Sequence, residues 1–332
     1  MAKPTYADIA TRAGVGTATV ERVLNGRGGV TPETAQKVVL AARALDWPGR
    51  LPERHRGLFR IEVILVRPET GFFSRLAAAF RRIGRTLDRS VQLHVSFMDE
   101  ADPAALAHHI ARPPVHRAGL IVAAPDVPAV RAALEQVQGQ GLPVVQVMNR
   151  ILHGADYVGI DNMAAGRTAG LMLARLGAVR SSVLAVCHSP LYRVHRDRLR
   201  GFSDYLADHP HPGLAFRRVV FGGDDRHRNA ALVADALRDW PDLSGVYNAG
   251  GGNSGVLHAL ERAGRAVFFV GHELTGTTSA ALQVGRAHVI LDQLPETQAR
   301  RAVDLMLRRL ELTEDEVDNP PIRFATITRE NL

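Results

Sequence analysis

The sequence predicts an α/β protein in three parts: an N-terminal all-α helix-turn-helix headpiece, a short basic linker, and a body of two doubly wound parallel-sheet subdomains. Three observations predict it. Residues 1–60 hold ten basic and five acidic side chains, a net +5, whereas the rest of the chain holds 31 and 29, a net +2. From Ile61 onward short apolar runs alternate with helix-period patterns, as in parallel sheets covered on both faces. That rhythm restarts after Tyr157-Val158-Gly159-Ile160-Asp161-Asn162, which divides the body in two.

With 332 residues, 46% hydrophobic and 23% charged, the chain is too long for one small module and too apolar for a disordered one. The headpiece is expected over residues 1–46, the linker over 47–60 and the body over 61–332.

In the headpiece, Thr5 and Asp8 have the spacing of a capping box, so a helix begins at Tyr6 with Ile9, Ala10 and Ala13 on one face. Gly14-Val15-Gly16 stops it. Thr17 to Leu24 then presents Val20, Val23 and Leu24 at helical spacing and closes at Asn25-Gly26. Thr31-Pro32 reads as an N-cap followed by a first-turn proline, opening a third helix with Ala35, Val38, Ala42 and Leu45 as its apolar stripe. Helices joined by so short a turn form a helix-turn-helix, whose second helix enters the major groove of DNA. Thr17, Ala18 and Arg22 lie on its outward face. Arg22 suits guanine O6 and N7, and the two small residues suit a thymine methyl.

The linker combines two prolines, two glycines and four arginines between Asp46 and Arg60. Arg54 there is a candidate phosphate contact, as a strap tracking the backbone or within a short helix begun at Pro52.

In the body the runs are 61–66, 91–97, 119–124, 143–148, 182–187, 217–221, 245–248, 266–271 and 288–291, with a further edge strand expected over Ile322 to Ile327. Open α/β sheets bind ligands beyond the carboxyl ends of their strands. There stand Phe72 and Phe73, Asp126, Asn149 and Arg150, His188, Asn248, Glu273, and Asp292 with Gln293. Planar hydrogen-bonding groups with a pair of aromatics suit a polyhydroxylated ligand, whose hydroxyls need paired donors and acceptors and whose C–H face can lie on a ring.

Thr5-Tyr6-Ala7-Asp8-Ile9-Ala10, Ala13-Gly14-Val15, Thr19-Val20, Arg22-Val23-Leu24-Asn25 and Val30-Thr31-Pro32-Glu33-Thr34 closely resemble the headpiece of the LacI/GalR (lactose-repressor) family of bacterial transcription regulators. The resemblance implies that Thr17, Ala18 and Arg22 read bases while Thr5, Tyr6, Thr19 and Asn25 position the helix on phosphates. Gly16 and Glu21 depart from it, standing where the family commonly has serines. Glu21 must then point away, accept from a cytosine amine, or weaken binding. The family's linker folds on DNA into a hinge helix with a minor-groove leucine, a role open here to Leu51 or Leu58.

The body resembles the same family's effector-binding core, which is similar to periplasmic sugar-binding proteins, through VGIDNMAAGRTAG, RDRLRGF, GVYN and VFFVGHE. By that resemblance Arg198 clamps a sugar hydroxyl, Asn248 follows its strand, and Glu273 stands where the family has aspartate. Phe72, Asn149 and Gln293 are further matches. Thr70-Gly71 replaces an asparagine-proline, Asn149-Arg150 an aspartate-arginine, and Asn248-Ala249 an asparagine-aspartate. The resemblance therefore implies a repressor: a homodimer on a pseudo-palindromic operator in double-stranded DNA, allosterically controlled by a small carbohydrate or polyol.

A competing motif is Gly250, Gly252 and Gly255 in G-x-G-x-x-G, after a strand and before a helix, with Glu273 about twenty residues on. It fits a dinucleotide site, making an NAD-dependent oxidoreductase the alternative. Otherwise no catalytic arrangement stands out. The fourteen histidines do not build a three-ligand metal site, and no serine has nucleophile-elbow spacing. Cys187 is alone, so no internal disulfide forms. No metal or cofactor is expected. The start of the chain lacks a signal-peptide core and no apolar run spans a bilayer, so a cytoplasmic protein is expected and a secreted solute-binding protein is not.

Overall fold

The computed structural model describes residues 4–49, 58–176 and 181–332. The first three helices, α1 (Tyr6–Ala13), α2 (Thr17–Leu24) and α3 (Pro32–Ala44), close around their own core of Ile9, Val20, Val23, Ala35, Val38 and Ala42. The Thr5–Asp8 capping box forms, with the Thr5 N–H donating to the Asp8 carboxylate at 2.7 Å. Gly14 ends α1 in the left-handed region at φ 67°, which turns α2 across α1.

The body holds two sheets. The first is parallel throughout, in the order β2-β1-β3-β4-β5, from β1 (Phe59–Val66), β2 (Val91–Met98), β3 (Gly119–Val122), β4 (Val144–Val147) and β5 (Asp156–Val158). The helices between these strands are α4 (Gly71–Gly84), α5 (Pro103–Ala111) and α6 (Pro128–Gly139). The second lobe begins with α7 (Asn162–Leu176), β6 (Ser181–Cys187), α8 (Arg193–Asp208), β7 (Leu214–Phe221) and α9 (Arg226–Asp239). It continues through β8 (Leu243–Asn248), α10 (Asn253–Ala263), β9 (Phe268–His272), α11 (Gly276–Gln283) and β10 (Val289–Asp292). Its sheet runs β11-β10-β9-β8-β6-β7, with β11 (Ala325–Ile327) the antiparallel edge.

The central strands β3, β4 and β10 are buried at every position, whereas edge strand β7 alternates. This is why the central strands read as unbroken apolar runs. All nine predicted runs are strands. β5 is three residues long and carries no apolar run of its own, so periodicity did not find it. The strand expected over Ile322 to Ile327 is divided: Ile322 bridges Ile160, and only Ala325–Ile327 joins β10.

The chain crosses between lobes three times. It passes from β5 into α7, from β10 into α12 (Pro295–Arg309), which packs back on α4 and the first sheet, and from α12 to β11. The Ile322 N–H donates to Gly159 O at 2.9 Å, so two crossing segments lie side by side. Among the described residues no helix is long and apolar enough to cross a membrane.

Candidate functional site

On the headpiece, burial of Val20 and Val23 against α1 and α3 turns the opposite face of α2 outward, leaving Thr17, Ala18 and Arg22 exposed. Thr5 and Asn25 are exposed at helix ends and Thr19 is half-buried. Tyr6 packs on Trp47 with ring centroids 5.2 Å apart. Glu21 is ion-paired with Arg27 at 3.0 Å, which draws its charge aside. Arg54 and Leu51 lie outside the described residues, while Leu58 is exposed beside β1.

Between the lobes lies a cleft of about 630 Å³, lined from the first lobe by Arg67, Phe72, Phe73 and Met148 and from the second by Tyr192, Arg198, Asp224 and Glu273. Arg198 reaches it because α7 and α8 pack at backbone contact. A Cβ on Gly166 would stand 2.0 Å from Arg198 O, and one on Gly201 2.2 Å from Met163 O. That closeness brings Asn162 Oδ1 to Arg198 Nε at 2.8 Å, while Nη1 donates to Ala249 O at 2.8 Å. Nη2 is buried without a partner and remains available to a ligand.

Glu273 is buried at the end of β9 and takes φ 69°. Gln293 donates to its Oε1, and its Oε2 is buried and unpartnered. Burial first, and the Asp292 carboxylate second, push its pKa up to about 7. Positive φ at a residue other than glycine is strained, and Arg67, Met148, Asp224 and Glu273, all in the cleft lining, share it.

Of the predicted effector contacts, Phe72, Phe73, Arg198, Glu273 and Gln293 line this cleft. Asn149 and Asn248 do not. Each is fully buried and turned into its own lobe. Asn149 Nδ2 donates to Ala124 O at 3.0 Å, and Asn248 Nδ2 donates to Gly251 O and Asn253 Oδ1, both at 2.8 Å. Each strand-end NH2 group, surrounded by acceptors of its own lobe, is satisfied there, since an unpaired buried donor is costly, while Asn149 Oδ1 is left buried without a partner. Asp126 and Asp292 are likewise engaged, with Arg131 and Arg75.

The glycine motif is already engaged from within the protein. The Gly251 N–H donates to Asp224 Oδ1 at 2.6 Å, so an internal carboxylate occupies the position a pyrophosphate would take at the start of α10. The glycines serve packing: a Cβ on Gly255 would stand 1.8 Å from Arg226 O and one on Gly250 2.5 Å from Asp224 Oδ1. This removes the observation on which the oxidoreductase alternative rested. Among the described residues no group of three or more His, Cys, Asp or Glu is placed to hold a metal ion.

The residues that sequence reasoning missed are the pair Arg67 and Asp224, Tyr192 at the N-cap of α8, and His195 in its first turn. Arg67, at the end of β1, donates to Asp224 Oδ2 at 2.7 Å across the cleft and packs over the Phe73 and Tyr192 rings. Tyr192 donates to Glu100 of the first lobe. Burial opposes ionisation of Asp224, yet the Arg67 guanidinium and the neighbouring histidines hold its pKa below the usual value. His195 is driven by burial down to about 3, so it is neutral at physiological pH. The strand-end criterion applied evenly would have found Arg67 and Asp224, which follow their apolar runs by one and three positions.

Comparison with known proteins gives two family matches: bacterial regulatory proteins of the lacI family over residues 5–48, and a periplasmic binding protein domain over residues 64–314. The HTH-type transcriptional regulator MalR of Streptomyces coelicolor is 33% identical over 182 residues, 52% of this chain and 51% of that protein. The HTH-type transcriptional regulator reg1 of Streptomyces lividans is 32% identical over 183 residues, with the same coverage of 52% and 51%. The chain thus spans about half the length of the curated relatives it matches. A solute-binding protein from Agrobacterium vitis, crystallised with alpha-D-tagatopyranose, superposes with a TM-score of 0.72 at 20% identity, covering 82% of this chain and 95% of that one. One from Burkholderia graminis, in complex with D-arabinose, gives 0.74 at 18% identity, covering 83% and 97%. At such identities the likeness is one of fold.

Proposed function

The chain carries a periplasmic binding protein domain over residues 64–314 behind a segment, residues 5–48, that matches the lacI family of bacterial regulatory proteins, and from that premise we propose that it is a sequence-specific transcription regulator of that family, a repressor, controlled by a small sugar or polyol. The observation that carries the reading is the joining, in one chain, of an outward recognition helix to a cleft in which Arg198 Nη2 and Glu273 Oε2 are buried without partners. A donor and an acceptor facing a cavity lined by Phe72 and Phe73 match hydroxyls and the C–H face of a polyol. The solute-binding proteins of like fold, crystallised with alpha-D-tagatopyranose and D-arabinose, support the ligand class.

In this reading residues 1–46 bind DNA, 47–60 form the hinge and 61–332 hold the effector. Thr17, Ala18 and Arg22 read bases in the major groove, and Thr5, Tyr6, Thr19, Asn25 and Arg54 hold phosphates. The protein acts in the cytoplasm as a homodimer, so two recognition helices meet two half-sites. The effector binds across the cleft and favours one lobe arrangement, which moves the paired hinges and changes operator affinity by the difference in its affinity for the two states.

Two steps test this. Selection from a random duplex pool should enrich a pseudo-palindrome. A thermal-shift screen of sugars and polyols should then find one that raises the melting temperature and alters affinity for the selected duplex. No enriched sequence, or a stabilising sugar without effect on DNA binding, would refute the regulator reading.

A further inference from the structure

The rim of the first lobe where the linker arrives is built from three stretches tied together by backbone bonds. β1 starts at Phe59, whose N–H donates to Ser90 O at 2.7 Å, and the Ala118 N–H donates to Arg60 O at 2.8 Å. The turn before β2, the first residues of β1 and the loop before β3 therefore share one edge, with Phe59 in register with Val91 and Ile61 with Gly119.

This edge is basic. It carries Arg60, half-buried, and Arg85, Arg89, Arg112 and His116, all exposed. Arg117, in the third stretch, is buried on Glu62 and faces inward. The sole carboxylate in the three stretches is Asp88, which accepts from the Ser90 N–H and hydroxyl at 2.9 and 2.7 Å. Among the described residues no carboxylate pairs with Arg60, Arg85, Arg89 or Arg112. The acidic stretch 311–318 leaves α12 on the β5 side, at the opposite end of the sheet from β2. The linker end of the lobe is electrically divided: the positive half adjoins the start of β1, and the acidic half pairs through Glu314 with Arg12 of the headpiece at 3.5 Å.

We infer that this rim, Arg60, Arg85, Arg89 and Arg112, is a second DNA-contacting surface that holds phosphates of the duplex beside the headpiece site. The inference rests on the headpiece binding DNA as proposed above. Reach allows it: from Gly49 to Leu58 the chain spans at most roughly 30 Å when extended, and less in any folded form. In sequence the rim also follows directly on the basic linker, which holds Arg50, Arg54 and Arg56. Guanidinium groups that no described carboxylate engages suit phosphate, which they meet bidentately. The contact carries no sequence information. It adds affinity and salt dependence.

The test is salt-dependent binding of the full chain to two mixed-sequence duplexes, one of about two helical turns and one extended on both sides. The variant is Arg85→Gln with Arg89→Gln and Arg112→Gln, and the control is Arg200→Gln, an exposed arginine on α8 in the other lobe. Each lost phosphate contact lowers the log–log salt slope by about 0.9, so the triple variant should lose two to three units of slope and roughly tenfold or more in low-salt affinity on the long duplex. The short duplex and the control should be unaffected. An unchanged slope on the long duplex, or the same loss with Arg200→Gln or on the short duplex, overturns the inference while leaving the headpiece reading intact. A wild-type chain that binds neither duplex overturns both.

Discussion

Arg67 and Asp224 stand on opposite lobes and meet at 2.7 Å, each almost excluded from solvent. The same carboxylate accepts the Gly251 N–H, so one side chain joins the first lobe to the start of α10. Breaking a buried pair from one side strands the other charge, which typically costs a few kcal/mol. Arg67→Ala and Asp224→Asn should each destabilise the protein by roughly 3 kcal/mol in chemical denaturation, and the double variant by clearly less than the sum. Additive losses would mean that the two groups do not interact in solution.

Glu273 makes stability depend on pH. Its folded pKa, raised to about 7, means that the folded chain binds a proton more tightly than the unfolded one between the ordinary glutamate value and about 7. Its contribution is present at acid pH and is lost as pH rises through that window. Glu273→Gln keeps the neutral shape, so its melting temperature relative to wild type should rise between pH 5 and pH 8, by the equivalent of up to about 3 kcal/mol. A flat difference across that range would contradict the burial argument.

Arg22→Ala should weaken binding to the selected operator and relax preference at one base pair, costing about 1–3 kcal/mol for the correct base. Measured against random duplex, the loss should be small. An equal loss on both would reduce Arg22 to a phosphate contact.

Arg198→Ala should abolish the response to the effector while leaving operator binding without effector unchanged. Isothermal titration with the sugar found in the screen should show at least a tenfold weaker Kd, since a charge-assisted bond to a ligand hydroxyl is lost. An unchanged titration would remove Arg198 from the site.

Gly255→Ala should lower stability by roughly 2 kcal/mol or more, because the added methyl would stand 1.8 Å from Arg226 O, a backbone atom that cannot step aside alone. Its melting curve should show this loss. A neutral substitution would mean that α10 is not seated on the start of α9 as described.

The sequence by itself determined the elements and their grouping. Capping chemistry at Thr5, the Gly14 turn and unbroken runs such as IEVILV are local facts, since a strand buried on both faces has no polar face to show. Through the family resemblance it also brought forward Glu273, in VFFVGHE, and Arg198, in RDRLRGF, whose Gly201 with Gly166 on the neighbouring helix records a close helix crossing. Only the tertiary structure decided which strand-end groups face the cleft. Asn149 and Asn248 read like ligand contacts but spend their amides on nearby carbonyls, a choice set by loop geometry that sequence position does not encode. Likewise Gly250, Gly252 and Gly255 read as a nucleotide loop until Asp224, from the segment after β7, took the place of the phosphate. The pairing of Arg67 with Asp224 joins residues 157 positions apart, and the fold alone brings them together.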